Sequence, residues 1–210
     1  MGVVPENYYI IHNIIDDELF EYHKKSADDR LKICTIRPFT ARNYANDITV
    51  DVIKQLSKKR YFNKLEFNIY GDGKLFNVLT NSLNQFDNVN LHKGFVKQDE
   101  IPEIHKQHGI YLGPSRHDSQ GVSLGEAMSS GLVPVSNAIG GIPEFITHKK
   151  TGMLASRDNV SEMVNHIDYL YKNARKFKKM SVQAAKSIKK QAGLDVVISR
   201  EIEVITNGWS

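Results

Sequence analysis

Short apolar runs rich in β-branched or aromatic residues alternate along the chain with longer stretches whose apolar positions recur at helical spacing. Five runs have the length and make-up of buried strands: LKICTI (31–36), LEFNIYG (65–71), VNLHKG (89–94), GIYLGPS (109–115) and LVPVSN (132–137). Between them lie segments of helical character at 46–58, 75–86, 98–108 and 121–130. This alternation predicts an α/β domain with a parallel sheet and right-handed crossovers. Ligands of such sheets bind outside the carboxyl ends of the strands, so the turns after each strand are where chemistry is expected.

After Gly152 the pattern changes. Val160, Met163, Val164, Ile167 and Leu170 mark one face of a helix. The stretch from about 172 to 190 then carries Lys172, Arg175, Lys176, Lys178, Lys179, Lys186, Lys189 and Lys190, with no acidic residue between Asp168 and Asp195. A solvated helical face is the plainer reading, and peripheral contact with anionic lipid headgroups the sharper one.

Composition narrows the classes. A hydrophobic content of 40% and a charged content of 25% are those of a globular chain. The formal charge of +4 is compatible with a phosphate-bearing ligand and too small to argue for nucleic acid. Cys34 is the only cysteine, which excludes an intramolecular disulfide and a cysteine-based zinc site. The start, MGVVPENYYIIHN, has no signal-peptide pattern, and no apolar run reaches the ~20 residues that cross a bilayer. The expected location is the cytoplasm, with the inner face of the membrane as a peripheral site. His105 and His108 lie one helical turn apart without a third ligand at sensible spacing, so no metal is expected there.

Five turns could carry chemistry. In IRPFTAR (36–42), Arg37 and Arg42 follow a strand, and two guanidiniums suit a diphosphate. YGDGKLF (70–76) ends a strand in Gly71 and Gly73; position 76 is Phe, so this is not a dinucleotide fingerprint, and no Gly-Lys-Ser/Thr phosphate loop occurs. LHKGFV (91–96) is another strand end. In HDSQGVSLGEAMSSG (117–131), Gly121 opens a helix whose first N–H groups lack intrahelical partners, and Glu126 falls one turn inside it. NAIGGIPEFI (137–146) places Gly140 and Gly141 after a strand, with Pro143 and Glu144 opening a short helix. By its own residues the 117–131 stretch fits either a capped strand-to-helix corner or a ligand site.

Taken together, the run PSRHDSQGVSLGEAMSSGLVPVSNAIGGIPEFITHKKTGMLA resembles the signature region of glycosyltransferase family 4, the retaining, nucleotide-sugar-dependent enzymes of GT-B fold. The resemblance extends to IRPFTAR, YGDG, HKGFV and IIHNIID (10–16), which looks like an interdomain connector. It implies a Rossmann-like fold, the C-terminal half of a GT-B enzyme, with a connector over 1–18, a donor-binding domain over 19–190 and a helical extension over 191–210. It implies that Arg37 and Arg42 neutralise the donor diphosphate. Gly121, Val122 and Ser123 would approach phosphate and sugar, Glu126 would hold ribose hydroxyls, and Asp118 would lie against the transferred sugar. Phe95 and Val96, with Gly71, would complete the donor site near the nucleobase. No metal or other cofactor is implied, and a UDP-sugar is the favoured donor. Asp118 stands where Glu is usual, Ser119 and Gln120 replace a common Gly-Phe, and Arg42 replaces Lys. The implied function is sugar transfer to a glycan or lipid-linked acceptor in cell-surface polysaccharide synthesis. The acceptor would be held by a domain preceding the connector, so this chain is expected to bind donor without transferring sugar. A non-catalytic nucleotide-sugar sensor and a sugar-nucleotide epimerase are the alternative functions of the same architecture.

Overall fold

The computed structural model describes residues 8–207, so the first seven residues of the expected connector and the last three of the expected extension lie outside it. Six parallel strands form one sheet: β1 (Lys32–Ile36), β2 (Glu66–Gly71), β3 (Val89–Lys93), β4 (Ile110–Leu112), β5 (Val133–Asn137) and β6 (Met153–Ala155). The helices are α1 (Asn46–Leu56), α2 (Phe76–Thr80), α3 (Ile101–Gln107), α4 (Val122–Ser129), α5 (Ile142–Phe145), α6 (Val160–Lys172), α7 (Ala174–Ala192) and α8 (Leu194–Asn207). The spatial order β3-β2-β1-β4-β5-β6 makes this a doubly wound, Rossmann-like α/β fold. Strand order reverses between β1 and β4, the place where such sheets open a crevice.

The central strands β4 and β5 are buried along their whole length because helices cover both faces. Ile33, Phe67, Ile69, Ile110, Leu112, Val133 and Val135 face a core closed by α1 and α6, to which α6 contributes Met163, Val164, Ile167 and Leu170. Cys34 and Tyr111 face a second core closed by α4, α5 and α7. Such two-sided burial favours continuous apolar runs over alternation. Asn159 caps α6 by accepting from the Glu162 amide, while the Glu162 carboxylate reaches back to the Ser156 amide.

Three expectations need correction. A sixth strand exists, since Met153–Ala155 is only three residues long and too short for a periodic signal. The helix expected over 75–86 ends at Thr80 and tightens into a 3-10 turn over Asn81–Leu83, where Thr80 donates its hydroxyl to the Phe76 carbonyl. The helix expected from 98 begins at Ile101, with Pro102 in its first turn. The basic residues of 172–190 are all exposed, whereas Phe177, Met180, Ala184 and Ile188 bury the opposite side of α7.

The segment ahead of β1 is part of this packing. Ile15 is 1% exposed, and its amide donates to the Ala192 carbonyl at 2.8 Å. A Cβ on Gly125 would stand 2.7 Å from Ile15 Cδ1, so that helix glycine is what lets residues 12–15 lie across α4 as a strap. Phe20 is fully buried. Replacing Ile15 by Ala is therefore expected to cost about 2–5 kcal/mol of stability in urea unfolding. A loss under about 1 kcal/mol would mean that the strap is not part of the core.

Candidate functional site

Arg37 follows β1 directly and continues its pairing, donating its amide to the Tyr70 carbonyl at 3.1 Å. Its side chain is 5% exposed and stacks on the Tyr44 ring, 5.6 Å from guanidinium carbon to ring centre. Nη2 donates to Ser115 Oγ at 3.4 Å and lies 3.7 Å from Asp118 Oδ2. Nε and Nη1 are buried without a hydrogen-bond partner. A buried cation normally has its donors satisfied, because an unmet polar group costs about 1–3 kcal/mol, and more when charged. Two of its donors are therefore free for a further acceptor.

The turns beside it are shaped by close backbone approach. A Cβ on Gly71 would meet the Arg37 carbonyl oxygen at 2.1 Å, and one on Gly73 would meet the Phe39 carbonyl carbon at 2.4 Å. With the β1–α1 and β2–α2 loops pressed together, a cleft of about 430 Å³ opens past the strand ends, lined by Arg37, Thr40, Gly71, Asp72, Phe95 and Val96 among others. Phe95 is 85% exposed at its rim, an apolar ring held in water.

On the other side of the switch point stands the 117–121 loop. Asp118 Oδ1 accepts from the Gly121 amide at 2.6 Å and the Gln120 amide at 3.3 Å. Gly121 adopts the left-handed conformation (φ 76°) that turns the chain into α4. The first backward bond of α4 runs from Gly125 to Gly121 at 3.0 Å, so the amides of Val122, Ser123 and Leu124 have no intrahelical acceptor and present the positive end of the helix. The Gly140–Gly141 pair has a packing cause. A Cβ at either would fall within 2 Å of the Asp118 or Ser119 carbonyl oxygen, at 1.9 and 1.8 Å. Glu144 is exposed on the outside of α5.

Glu126 is half-buried one turn into α4. Burial pushes its carboxyl up to about 7, opposed by a hydrogen bond from the Gln98 side chain. It is a carboxylate poised to accept, without a cation beside it.

Arg37, Gly71, Phe95 and Val96 thus share one cleft, and Asp118 adjoins it through Arg37. Val122, Ser123 and Glu126 lie together on the first turns of α4. Arg42 stands apart: it is exposed on a 3-10 turn and does not line the cleft. Sequence reading passed over Ser115 and Tyr44, which meet the Arg37 guanidinium from the β4 loop and from the turn before α1. It also passed over Arg116, which forks onto Asp47 at 2.8 Å twice and onto Asp158 at 2.7 Å, donating as well to the Arg42 carbonyl. That bond holds the Asp47 carboxyl below the usual carboxylate range. His105 and His108 are buried, their Nδ1 atoms bonded to Ser130 Oγ and the Ile104 carbonyl. Among the described residues no three His, Cys, Asp or Glu gather as a metal site, and no helix is long and apolar enough to cross a membrane.

An anion-receptive crevice at the switch point of a doubly wound sheet is the mark of a nucleotide-binding domain. Residues 20–190 match the family described as Glycosyl transferases group 1, and the chain belongs to it. It is 29% identical over 164 residues to the amylovoran biosynthesis glycosyltransferase AmsK of Erwinia amylovora, covering 74% of this chain and 40% of that protein. Among solved structures, the C-terminal domain of the Francisella tularensis glycosyl transferase LpcC superposes with a TM-score of 0.73 at 16% identity, over 86% of this chain and 99% of that one. A single-site mutant of Staphylococcus aureus TarM, solved with Fondaparinux, alpha-GlcNAc-glycerol and UDP, gives a TM-score of 0.81 at 21% identity, over 96% of this chain and 40% of that one. The fold is therefore that of the C-terminal half of a GT-B glycosyltransferase. The chain spans under half the length of the curated relatives it matches.

Glu126 supplies a test of its own environment. Its carboxyl titrates higher folded, at about 7, than the ordinary 4.5, so its contribution to stability is full below pH 4.5 and lost as pH rises through 7. Glu126→Gln, which stays neutral, is expected to melt higher than the unliganded wild type at pH 8 and alongside it at pH 4. Thermal melts at both values check this, and equal melting at pH 8 would refute the buried, unpaired carboxylate.

Proposed function

We propose that this chain is the nucleotide-sugar-binding half of a retaining glycosyltransferase, with a UDP-sugar as donor. The observation that carries the reading is the buried Arg37 guanidinium with Nε and Nη1 unpaired at the head of the cleft. A diphosphate satisfies both nitrogens, and its remaining oxygens reach the free amides at the start of α4. Glu126 then accepts from the ribose hydroxyls, Phe95 and Val96 border the base, and Asp118 lies toward the transferred sugar.

In transfer, negative charge develops on the departing nucleoside diphosphate. Arg37 and the α4 amides stabilise it by position alone, since they are already oriented. The reading needs no metal. The acceptor, a glycan or lipid-linked chain in cell-surface polysaccharide synthesis, binds to a part of the protein outside these residues, so this chain by itself binds donor and does not turn it over. The work is set at the inner face of the membrane, with the cationic side of α7 as the surface that meets anionic headgroups.

Two measurements test the reading. Arg37→Met is expected to weaken UDP binding in calorimetry by about 1.5–3 kcal/mol, the worth of charged hydrogen bonds, while the unliganded protein melts no lower. Unchanged affinity would overturn the site. For the membrane contact, the chain is expected to sediment with phosphatidylglycerol-containing vesicles and to leave them in 0.5 M salt. Equal sedimentation with pure phosphatidylcholine vesicles would remove that contact.

A further inference from the structure

Gln120 is 8% exposed, and its side-chain amide does what a neighbouring strand does in a sheet. Its Oε1 accepts from the Asn13 amide at 2.7 Å, and its Nε2 donates to the Asn13 carbonyl at 2.8 Å. Asn13 is in the strap, 107 residues away in sequence. On its other side, Gln120 belongs to the loop whose Gln120 and Gly121 amides are held by Asp118 Oδ1, and Asp118 Oδ2 faces Arg37. The strap is tied down beside this point as well. His12 Nδ1 pairs with the Gln191 carbonyl at 3.2 Å, and its ring meets Phe145 of α5 edge-on at 4.7 Å. α5 follows the glycine pair that presses on the Asp118 and Ser119 carbonyls. From Asn13 a continuous set of contacts therefore runs through Gln120 and Asp118 to the guanidinium left open for an anion.

We infer that Gln120 is a positioning residue that couples the path of the strap to the geometry of the Asp118 loop, so that binding at Arg37 and order at Asn13 change together. The inference rests on the donor-site reading above. Ile15 and Phe20 anchor the strap without Gln120, so the chain keeps its fold when the clamp is removed. What changes is the loop, which loses the one side chain holding it to the strap.

The test uses UDP and the whole chain. In the wild type, UDP is expected to slow hydrogen exchange of the Asn13 amide, read by NMR. Gln120→Leu removes both bonds and is expected to bind UDP about tenfold more weakly, the worth of two modest hydrogen bonds. Gln120→Glu supplies a rescue that a filler of space would not show. A protonated carboxyl can donate and accept as the amide does, whereas a carboxylate only accepts. Relative to wild type at the same pH, this variant is expected to bind within about twofold at pH 4, below the ordinary glutamate range, and to resemble the Leu variant at pH 8. Wild-type protein that binds no UDP overturns the donor-site reading and this inference with it. Wild-type protein that binds UDP overturns the coupling alone under any of three results: Asn13 exchange indifferent to UDP, wild-type affinity in the Leu variant, or the same relative affinity of the Glu variant at both pH values.

Discussion

The rest of the site depends on the reversal of strand order between β1 and β4. Neighbouring parallel strands on either side of that point send their chains to opposite faces of the sheet, so the loops at their carboxyl ends part instead of covering one another. Arg37 leaves β1 on one side of the gap, and Ser115 and Asp118 leave β4 on the other. Everything that narrows the gap to ligand size is then backbone against backbone. Gly71 and Gly73 draw the β2 loop onto the β1 loop, and Gly140 and Gly141 draw the β5 loop onto the β4 loop. Side chains at these four positions would push the walls apart by contacts no rotamer could relieve.

Two ionisable groups of the loops around the switch point are buried where their charge is poorly compensated. Arg37 has two nitrogens without partners, and Glu126 has burial without a cation. Neither arrangement stabilises the free chain, and each is relieved by a ligand of the opposite hydrogen-bonding sense: phosphate oxygens for the first, hydroxyl donors for the second. Arg116, in the facing β4 loop, shows the contrast: it is paired with Asp47 at full contact.

Much of this was legible in the chain. The order of apolar runs gave the sheet, because strands covered on both faces must be apolar throughout. The Gly-bearing turns gave the places where backbone approaches backbone. What could not be read depended on partners distant in sequence or on segments too short for a period. β6 spans three residues, and α2 stops where Thr80 turns its hydroxyl onto Phe76. Gln120 reaches Asn13 across 107 positions. The glycine pair at 140–141 was visible as a motif, yet its cause, the carbonyls of Asp118 and Ser119, belongs to another loop.

Three arginines near the cleft, Arg37, Arg42 and Arg116, show why residue type alone does not assign function. Arg116 is bound by Asp47 and Asp158 and braces the Arg42 carbonyl, so its charge is spent on holding three segments together. Arg42 is exposed and does not line the cleft. Only Arg37 is both buried and under-bonded, 3.7 Å from the one carboxylate near it. That carboxylate is itself engaged, since Asp118 gives its other oxygen to the Gly121 and Gln120 amides. The acid is thereby kept at a distance that offsets the charge of Arg37 without filling its hydrogen bonds. Under the proposed donor reading, that state leaves Arg37 with two donors for an incoming anion.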